Sequence, residues 1–230
     1  MEKVNNLDRC AYQGDDLGFS YKPDKTTFKL WAPTARKVKL IIFKDENTPT
    51  YDIISNMNKE SNGIWSLAIK KDLDGYYYIY RVYLEDEINE VVDPYARAVS
   101  TNSKRGLIFD KEKTNPENWG DDRRIKQEYP QDAVIYEVHV RDFSLFPDSG
   151  MKRKGKYLAF TEDNTMTQGG MKTGISHLRE MGITHVQLLP IFDFATLDEK
   201  EPEGYNWGYD PYFYNSPEGS YSTDPSGISR

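Results

Sequence analysis

The sequence predicts an antiparallel β-sandwich in its first half and a strand–helix–strand unit of an α/β fold in its second half. Between residues 27 and 84, four segments rich in β-branched and aromatic residues alternate with turn residues. From residue 133 onward, two apolar segments flank a helical pattern. Several short strands in succession are typical of sandwiches, and the βαβ order is typical of parallel sheets. We therefore expect two structural parts.

The first half contains the four predicted strands. They cover residues 27–32, 38–43, 63–69 and 75–84, with turn signals at 32–34, 61–63 and 74–75. Trp31 closes the first of these strands, and we interpret it as a core residue. The alternative is that its indole forms a platform for stacking on a sugar ring.

A polar, charged stretch then separates the halves, and we place the domains at 1–115 and 132–230 with a linker at 116–131. Residues 133–138 form a predicted buried parallel strand, 174–181 a helix and 185–190 the next strand. No further strand is predicted after Tyr209. About 250 residues make a complete eightfold α/β barrel, whereas about 100 follow the linker. The second half is therefore a small open fold or part of a longer one.

Composition and charge exclude several classes of function. The net charge of −7 opposes binding to nucleic acid, whose backbone is also negative. The single cysteine, Cys10, rules out an internal disulfide framework, and no apolar run reaches the roughly 20 residues that span a bilayer. Residues 1–10 have no apolar core of a signal peptide. These features predict a cytoplasmic protein that binds neither nucleic acid nor membrane.

One short segment carries most of the functional information. Residues 205–211 read Tyr-Asn-Trp-Gly-Tyr-Asp-Pro, which makes a poor strand and a poor helix but a loop dense in aromatic rings. Pyranose rings pack their C–H faces on aromatic side chains, and sugar hydroxyls need fixed polar partners. We therefore predict a ligand-binding loop with Tyr209, Trp207, Asn206 and Asp210 as substrate-binding residues. Residues 217–221 are expected to extend this loop.

A second segment places polar residues at the end of a strand. His139, Arg141 and Asp142 follow the strand at 133–138, and the carboxyl ends of barrel strands face active sites. We interpret His139 as a hydrogen-bonded core histidine, and Arg141 and Asp142 as residues that hold the loop. His177 and His185 have no acidic or cysteine partners at metal-ligand spacing, so no metal site is predicted.

These segments together resemble a known enzyme family. Trp31-Ala32-Pro33 resembles the carbohydrate-binding module 48 that precedes the barrel in debranching enzymes of the α-amylase superfamily. Residues 136–144 look like the first strand of that superfamily's barrel. The heptapeptide at 205–211 matches the signature of type I pullulanases. The resemblance implies an immunoglobulin-like β-sandwich followed by the first βα units of a (β/α)8 TIM barrel, with the barrel incomplete.

The resemblance also implies an activity. It predicts retaining hydrolysis of α-1,6-glucosidic branch points in pullulan, glycogen or limit dextrins by a pair of carboxylates. In the family these carboxylates lie on later barrel strands, so no catalytic residue is expected in this chain, which alone should be inactive. Tyr209 matches the family tyrosine that stacks on the sugar. No cofactor is assigned, and the sequence does not decide whether calcium binds. Two alternative functions remain: a non-catalytic α-glucan-binding module, and a relative of isoamylases or branching enzymes.

Overall fold

The computed structural model describes residues 7–202 and 204–230. The prediction that residues 1–10 are not a signal peptide therefore falls partly outside the described residues, which begin at residue 7. The chain divides into two compact units, one of residues 7–114 with 213–216 and one of 115–212 with 217–230. The short segment 213–216 belongs to the first unit although it lies between two segments of the second along the chain.

The first unit is built from two antiparallel sheets. One has the strand order β1-β2-β6-β5, and the other has the order β4-β3-β7-β8, with β9 paired to β7. The strands are β1 (Gly18–Lys22), β2 (Lys25–Trp31), β3 (Lys37–Phe43), β4 (Ile53–Asn56), β5 (Asn58–Lys59), β6 (Ile64–Ile69), β7 (Tyr77–Tyr83), β8 (Ile88–Val91) and β9 (Gly106–Leu107). The four strands predicted between residues 27 and 84 correspond to β2, β3, β6 and β7.

One apolar core joins the two sheets of this unit. Phe28 and Trp65 enter it from the first sheet, while Leu40 and Tyr80 enter it from the second. A shared core between two antiparallel sheets is the arrangement of a β-sandwich. The predicted sandwich is therefore present, and the described chain is mostly sheet with few helices.

The interpretation of Trp31 as a core residue is wrong. Its side chain is 38% exposed, and its indole Nε1–H donates to the Cys10 carbonyl at 2.7 Å. Successive strand residues point to opposite faces, and Phe28 and Leu30 are the residues of β2 that face the core. Trp31 has the opposite parity and therefore lies on the outer face.

The second unit contains a parallel strand pair with a helix between its strands. Ile135 of the first strand pairs with His185 of the second, and Val138 pairs with Leu188. The elements after residue 115 are β10 (Ile135–Val138), α1 (Asp142–Leu145), α2 (Gly174–Glu180), β11 (His185–Leu188), β12 (Phe192–Phe194) and β13 (Pro211–Pro217). The predicted strand–helix–strand order thus corresponds to β10, α2 and β11.

Two expectations for the last twenty residues are wrong. The sequence was expected to contain no strand after Tyr209, yet β13 begins at Pro211. Residues 217–221 were expected to extend the aromatic loop, but Gly219–Tyr221 is a buried 3-10 turn. The Glu218 side chain caps this turn by accepting a hydrogen bond from the Ser220 N–H.

Helix length can be compared with the thickness of a membrane. In the part of the chain that the structure describes, no helix combines the length and the apolar character needed to cross a bilayer.

Candidate functional site

The heptapeptide forms an irregular loop between β12 and β13 in which one glycine is required by its backbone. Gly208 has a φ of 84°, in the left-handed region that favours glycine. A Cβ atom at this position would lie 2.6 Å from the Pro190 carbonyl oxygen. The loop backbone can therefore approach the end of β11 closely only because residue 208 lacks a side chain.

Two aromatic side chains of this loop are more exposed to solvent than Tyr205, which is 44% exposed. Trp207 is 61% exposed and Tyr209 is 68% exposed. We call these two side chains the aromatic surface. Loops often carry binding residues, and exposed aromatic rings offer flat faces on which a ligand can stack.

The polar side chains of the loop hold its backbone. Asn206 accepts a hydrogen bond from the Gly208 N–H at 2.7 Å through its Oδ1 atom. Its Nδ2 atom donates to Thr196 Oγ1 at 2.8 Å and to Asp210 Oδ2 at 3.3 Å. Thr196 Oγ1–H in turn donates to Asp210 Oδ2 at 2.8 Å. Asn206 and Asp210 thus bond each other and Thr196, and their assignment as substrate-binding residues stays a prediction.

The end of β10 contacts the other side of the loop. The His139 ring is buried, and its Nε2 lies 2.9 Å from the Asn206 carbonyl oxygen. It also stacks on Tyr205 with ring centroids 4.8 Å apart and an interplanar angle of 27°. The Tyr205 hydroxyl donates to Asp142 Oδ2 at 3.1 Å. The interpretation of His139 as a buried, hydrogen-bonded histidine is confirmed.

The environment of Tyr205 also affects its acidity. Partial burial raises the pKa of the Tyr205 phenol above its ordinary value of 10, and the hydrogen bond to the Asp142 carboxylate raises it further. The phenol is therefore protonated at neutral pH and acts as a hydrogen-bond donor.

A group of buried carboxylates lies behind the loop. Asp193, Glu199 and Glu218 bring one oxygen each to within 4.8 Å of one another, an arrangement that a cation can occupy. The Arg230 guanidinium, however, pairs with Asp193 and also with Glu199, at 2.5 Å from Oε1. Since an arginine already pairs with two of the three carboxylates, we assign no metal ion to this group.

Glu218 is the third member of the carboxylate group. Burial raises the pKa of its carboxyl above the ordinary value, and the nearby Glu199 charge adds to the rise. Hydrogen bonds from the Ser220 and Phe194 N–H groups oppose this rise. These contacts fix the 3-10 turn against β12, so the group has a structural role.

Sequence reasoning missed some residues that shape the loop. Thr196 bonds two loop side chains but lies ten residues before Asn206, with no pattern to mark it. Tyr221 places its hydroxyl 3.0 Å from His139 Nε2. The partnership of His139 with the loop could have been suspected only from its place at a strand end.

Comparison with known proteins decides the family. Residues 16–96 match the family model of carbohydrate-binding module 48 (isoamylase N-terminal domain). A pullulanase from Bacillus subtilis is 39% identical over 221 residues, which cover 95% of this chain and 29% of that protein. The solved pullulanase from Bacillus acidopullulyticus has 48% identity and a TM-score of 0.95 over 98% of this chain and 28% of that one. The chain is a portion of a pullulanase-family protein.

Another solved pullulanase extends the comparison. The enzyme from Paenibacillus barengoltzii, in complex with maltohexaose and α-cyclodextrin, has 44% identity and a TM-score of 0.94 over 97% of this chain and 35% of that one. Pullulanases are glycoside hydrolases. The chain spans about a third or less of the length of these relatives.

Proposed function

We propose that this pullulanase portion binds α-glucan through the aromatic surface of Trp207 and Tyr209. The observation that carries the proposal is the exposure of both rings on a loop whose backbone is fixed by side-chain hydrogen bonds. A fixed ring loses little conformational freedom when a sugar stacks on it, which favours affinity. The solved pullulanases with maltohexaose or maltotriose support this ligand class.

In this proposal Asn206 and Asp210 contribute to glucan binding both by holding the loop and by contacting the sugar. Their mutual hydrogen bond and their bonds to Thr196 hold the loop on which the two rings lie. Oxygen atoms of Asp210 that face the ligand would accept hydrogen bonds from sugar hydroxyls. Tyr209 is the residue assigned to stacking on the sugar nearest the reacting bond.

We also propose that residues 132–230 form the first βα units of a (β/α)8 barrel, after an immunoglobulin-like module at 1–115 and a linker at 116–131. The parallel pairing of β10 with β11, with α2 between them, supports this assignment. A parallel pair needs a crossover connection, and a helix is the usual one. The location that we propose is cytoplasmic.

The complete protein is proposed to hydrolyse α-1,6-glucosidic branch points in pullulan, glycogen or limit dextrins. Retaining hydrolysis needs one carboxylate as nucleophile and another as general acid, about 5 Å apart beside the scissile bond. The buried group of Asp193, Glu199 and Glu218 does not meet this requirement, because Arg230 holds two of its members and burial encloses all three. We therefore expect the 230-residue chain to bind glucan without hydrolysing it.

Two measurements test this proposal. Affinity electrophoresis in a gel containing glycogen should retard the 230-residue chain relative to a gel without glycogen, and unaltered mobility would contradict glucan binding. Release of reducing sugar from pullulan should equal that of a blank without protein. Turnover above the blank would show that the chain carries a complete active site.

The competing proposal is that the first unit alone binds glucan, as a non-catalytic binding module. The family match at residues 16–96 favours it as a second candidate. Retardation of residues 1–115 to the same extent as the whole chain would support this alternative. Loss of retardation in that shortened chain would support the aromatic surface. An isoamylase or branching-enzyme relative is disfavoured by the heptapeptide at 205–211.

A further inference from the structure

His139 is the buried residue that links the end of β10 to the aromatic loop. It is 5% exposed, so it lies behind the loop and away from a ligand that stacks on the outer rings. Its contacts with the loop involve the backbone of Asn206 and the ring of Tyr205. Any effect of His139 on binding must therefore pass through the loop.

The hydrogen bonds of His139 indicate which of its two ring nitrogens carries the proton. The Arg141 backbone N–H donates to Nδ1 at 3.2 Å, so Nδ1 is an acceptor and carries no proton. The neutral ring then carries its proton on Nε2, which donates to the Asn206 carbonyl at 2.9 Å. The Tyr221 hydroxyl oxygen, at 3.0 Å from the same nitrogen, accepts part of this hydrogen bond.

The ring of His139 supports the loop through packing as well. Tyr205 stacks on one face, and Tyr221 meets the ring edge-on at 5.7 Å and 87°. Tyr205 in turn packs edge-on against Trp207 at 6.0 Å and 88°. A continuous series of ring contacts thus runs from the buried histidine to the exposed tryptophan.

We propose that His139 is a positioning residue that sets the orientation of the aromatic surface. Its Nε2–H fixes the backbone at Asn206, and its ring fixes Tyr205, so that Trp207 is held in the direction needed for stacking. Asn206 fixes the following turn through Gly208. This inference rests on the proposed glucan-binding function for its effect on affinity, but the orientation of Trp207 can be measured without a ligand.

Two substitutions separate the two contacts of His139. His139→Phe keeps a ring beside Tyr205 and removes every hydrogen bond of the imidazole. His139→Gln keeps an amide N–H that can reach the Asn206 carbonyl and removes the ring. The matched control is His185→Gln, because His185 is an exposed histidine on the neighbouring strand β11. Tyr221→Phe is a second control, since it removes only the hydroxyl that shares the Nε2 proton.

The orientation of Trp207 is read by 19F NMR of the full 230-residue chain labelled with 5-fluorotryptophan. Trp207→Phe assigns the Trp207 resonance and Trp119→Phe assigns that of Trp119, an exposed tryptophan outside the loop that serves as the reference. We expect His139→Phe to shift or broaden the Trp207 resonance while leaving that of Trp119 in place. We expect His185→Gln and Tyr221→Phe to leave both in place. An unchanged Trp207 resonance in both His139 variants would overturn the proposal, as would an equal shift of the Trp119 resonance, because the effect would then not be confined to the loop.

Affinity for maltotetraose, measured by calorimetry, is the second readout. His139→Phe should weaken binding about tenfold, with His139→Gln between that variant and the unsubstituted chain, because one buried hydrogen bond is restored. Unaltered affinity in both variants would contradict a positioning role in binding. If the unsubstituted chain does not bind at all, glucan binding fails, and the 19F shift then decides the role of His139 by itself.

Discussion

The two units differ in how completely they bury their own strands. In the first, Val38, Leu40 and Ile42 of β3 are fully buried between two sheets. In the second, Ile135 of β10 is 60% exposed, and Val186 of β11 is also exposed. Parallel strands are normally covered on both faces, whereas antiparallel sheets tolerate water on one. The first unit therefore has the features of an independent domain, and we expect the second to depend on further packing for its stability.

The largest expected effect follows from this difference. Residues 1–115 should unfold in one cooperative transition in urea as a monomer, because they contain both sheets and the shared core. Residues 132–230 alone should associate or unfold without a sharp transition, because within the described residues β10 and β11 form a two-stranded sheet, and exposed strand edges favour pairing with other chains. Denaturation with sedimentation on each shortened chain checks this. A cooperative, monomeric transition for residues 132–230 would contradict it.

The next largest effect concerns the buried ion pairs of Arg230 in the second unit. Arg230→Ala should leave Asp193 and Glu199 as buried carboxylates without their cation, which costs about 3–5 kcal/mol when one partner of a buried pair is removed. Hydrogen exchange of the amides at 218–222 should accelerate about a hundredfold or more in the full chain.

A matched control exists for this variant. Arg179 pairs with Asp163 at 2.6 Å, but both side chains are exposed. Exposed ion pairs contribute about 1 kcal/mol or less. Arg179→Ala should therefore leave the exchange at 218–222 nearly unchanged. Equal effects of the two substitutions would show that the buried pairs do not stabilise the second unit.

A smaller effect concerns a buried carboxylate in the first unit. Asp93 accepts hydrogen bonds from the Tyr78 and Tyr80 hydroxyls at 2.8 and 3.2 Å. Burial raises the pKa of the Asp93 carboxyl above its ordinary value of 3.8, although these hydrogen bonds oppose the rise. A raised folded-state pKa means that the folded state binds the proton more tightly. The stability contributed by Asp93 is therefore fully present below about pH 4 and is lost as pH rises through the folded-state pKa.

Asp93→Asn isolates this contribution. An asparagine does not titrate, and its amide can donate to the two tyrosine oxygens while its carbonyl accepts from the Tyr95 N–H. The free energy of unfolding of residues 1–115 should fall with rising pH more in the unsubstituted unit than in the variant. Parallel curves for the two proteins between pH 4 and 8 would contradict this assignment.

The two units also differ in how far the sequence predicts them. The strands of the first unit follow from β-branched and aromatic alternation, and β10, α2 and β11 follow from the change of pattern after residue 132. The prediction for Trp31 is wrong, although alternation along the strand with Phe28 and Leu30 in the core places Trp31 on the outer face. In β13 the alternation of exposed Tyr212, buried Phe213 and exposed Tyr214 was also readable, but the opening Pro211 suggested a loop.

The sequence predicts where the candidate site lies in the chain, but it does not predict the tertiary contacts that hold the site. The composition of residues 205–211 marks an aromatic loop, and Gly208 marks a close backbone approach. The bonds of Asn206 to Thr196 and of His139 to the Asn206 carbonyl join residues that are distant in sequence. Such contacts depend on tertiary packing, and no local spacing encodes them.

The most direct test of the account compares two exposed tryptophans of the second unit. Trp207 lies in the loop, while Trp119 is similarly exposed at 58% but lies near the start of the unit. The measurement is calorimetric titration of the full chain with maltotetraose, for Trp207→Ala and Trp119→Ala. We expect Trp207→Ala to weaken binding about tenfold or more, because a stacking ring is lost, and Trp119→Ala to leave it unchanged. Equal affinities for the two variants and the unsubstituted chain would contradict glucan binding by the aromatic surface.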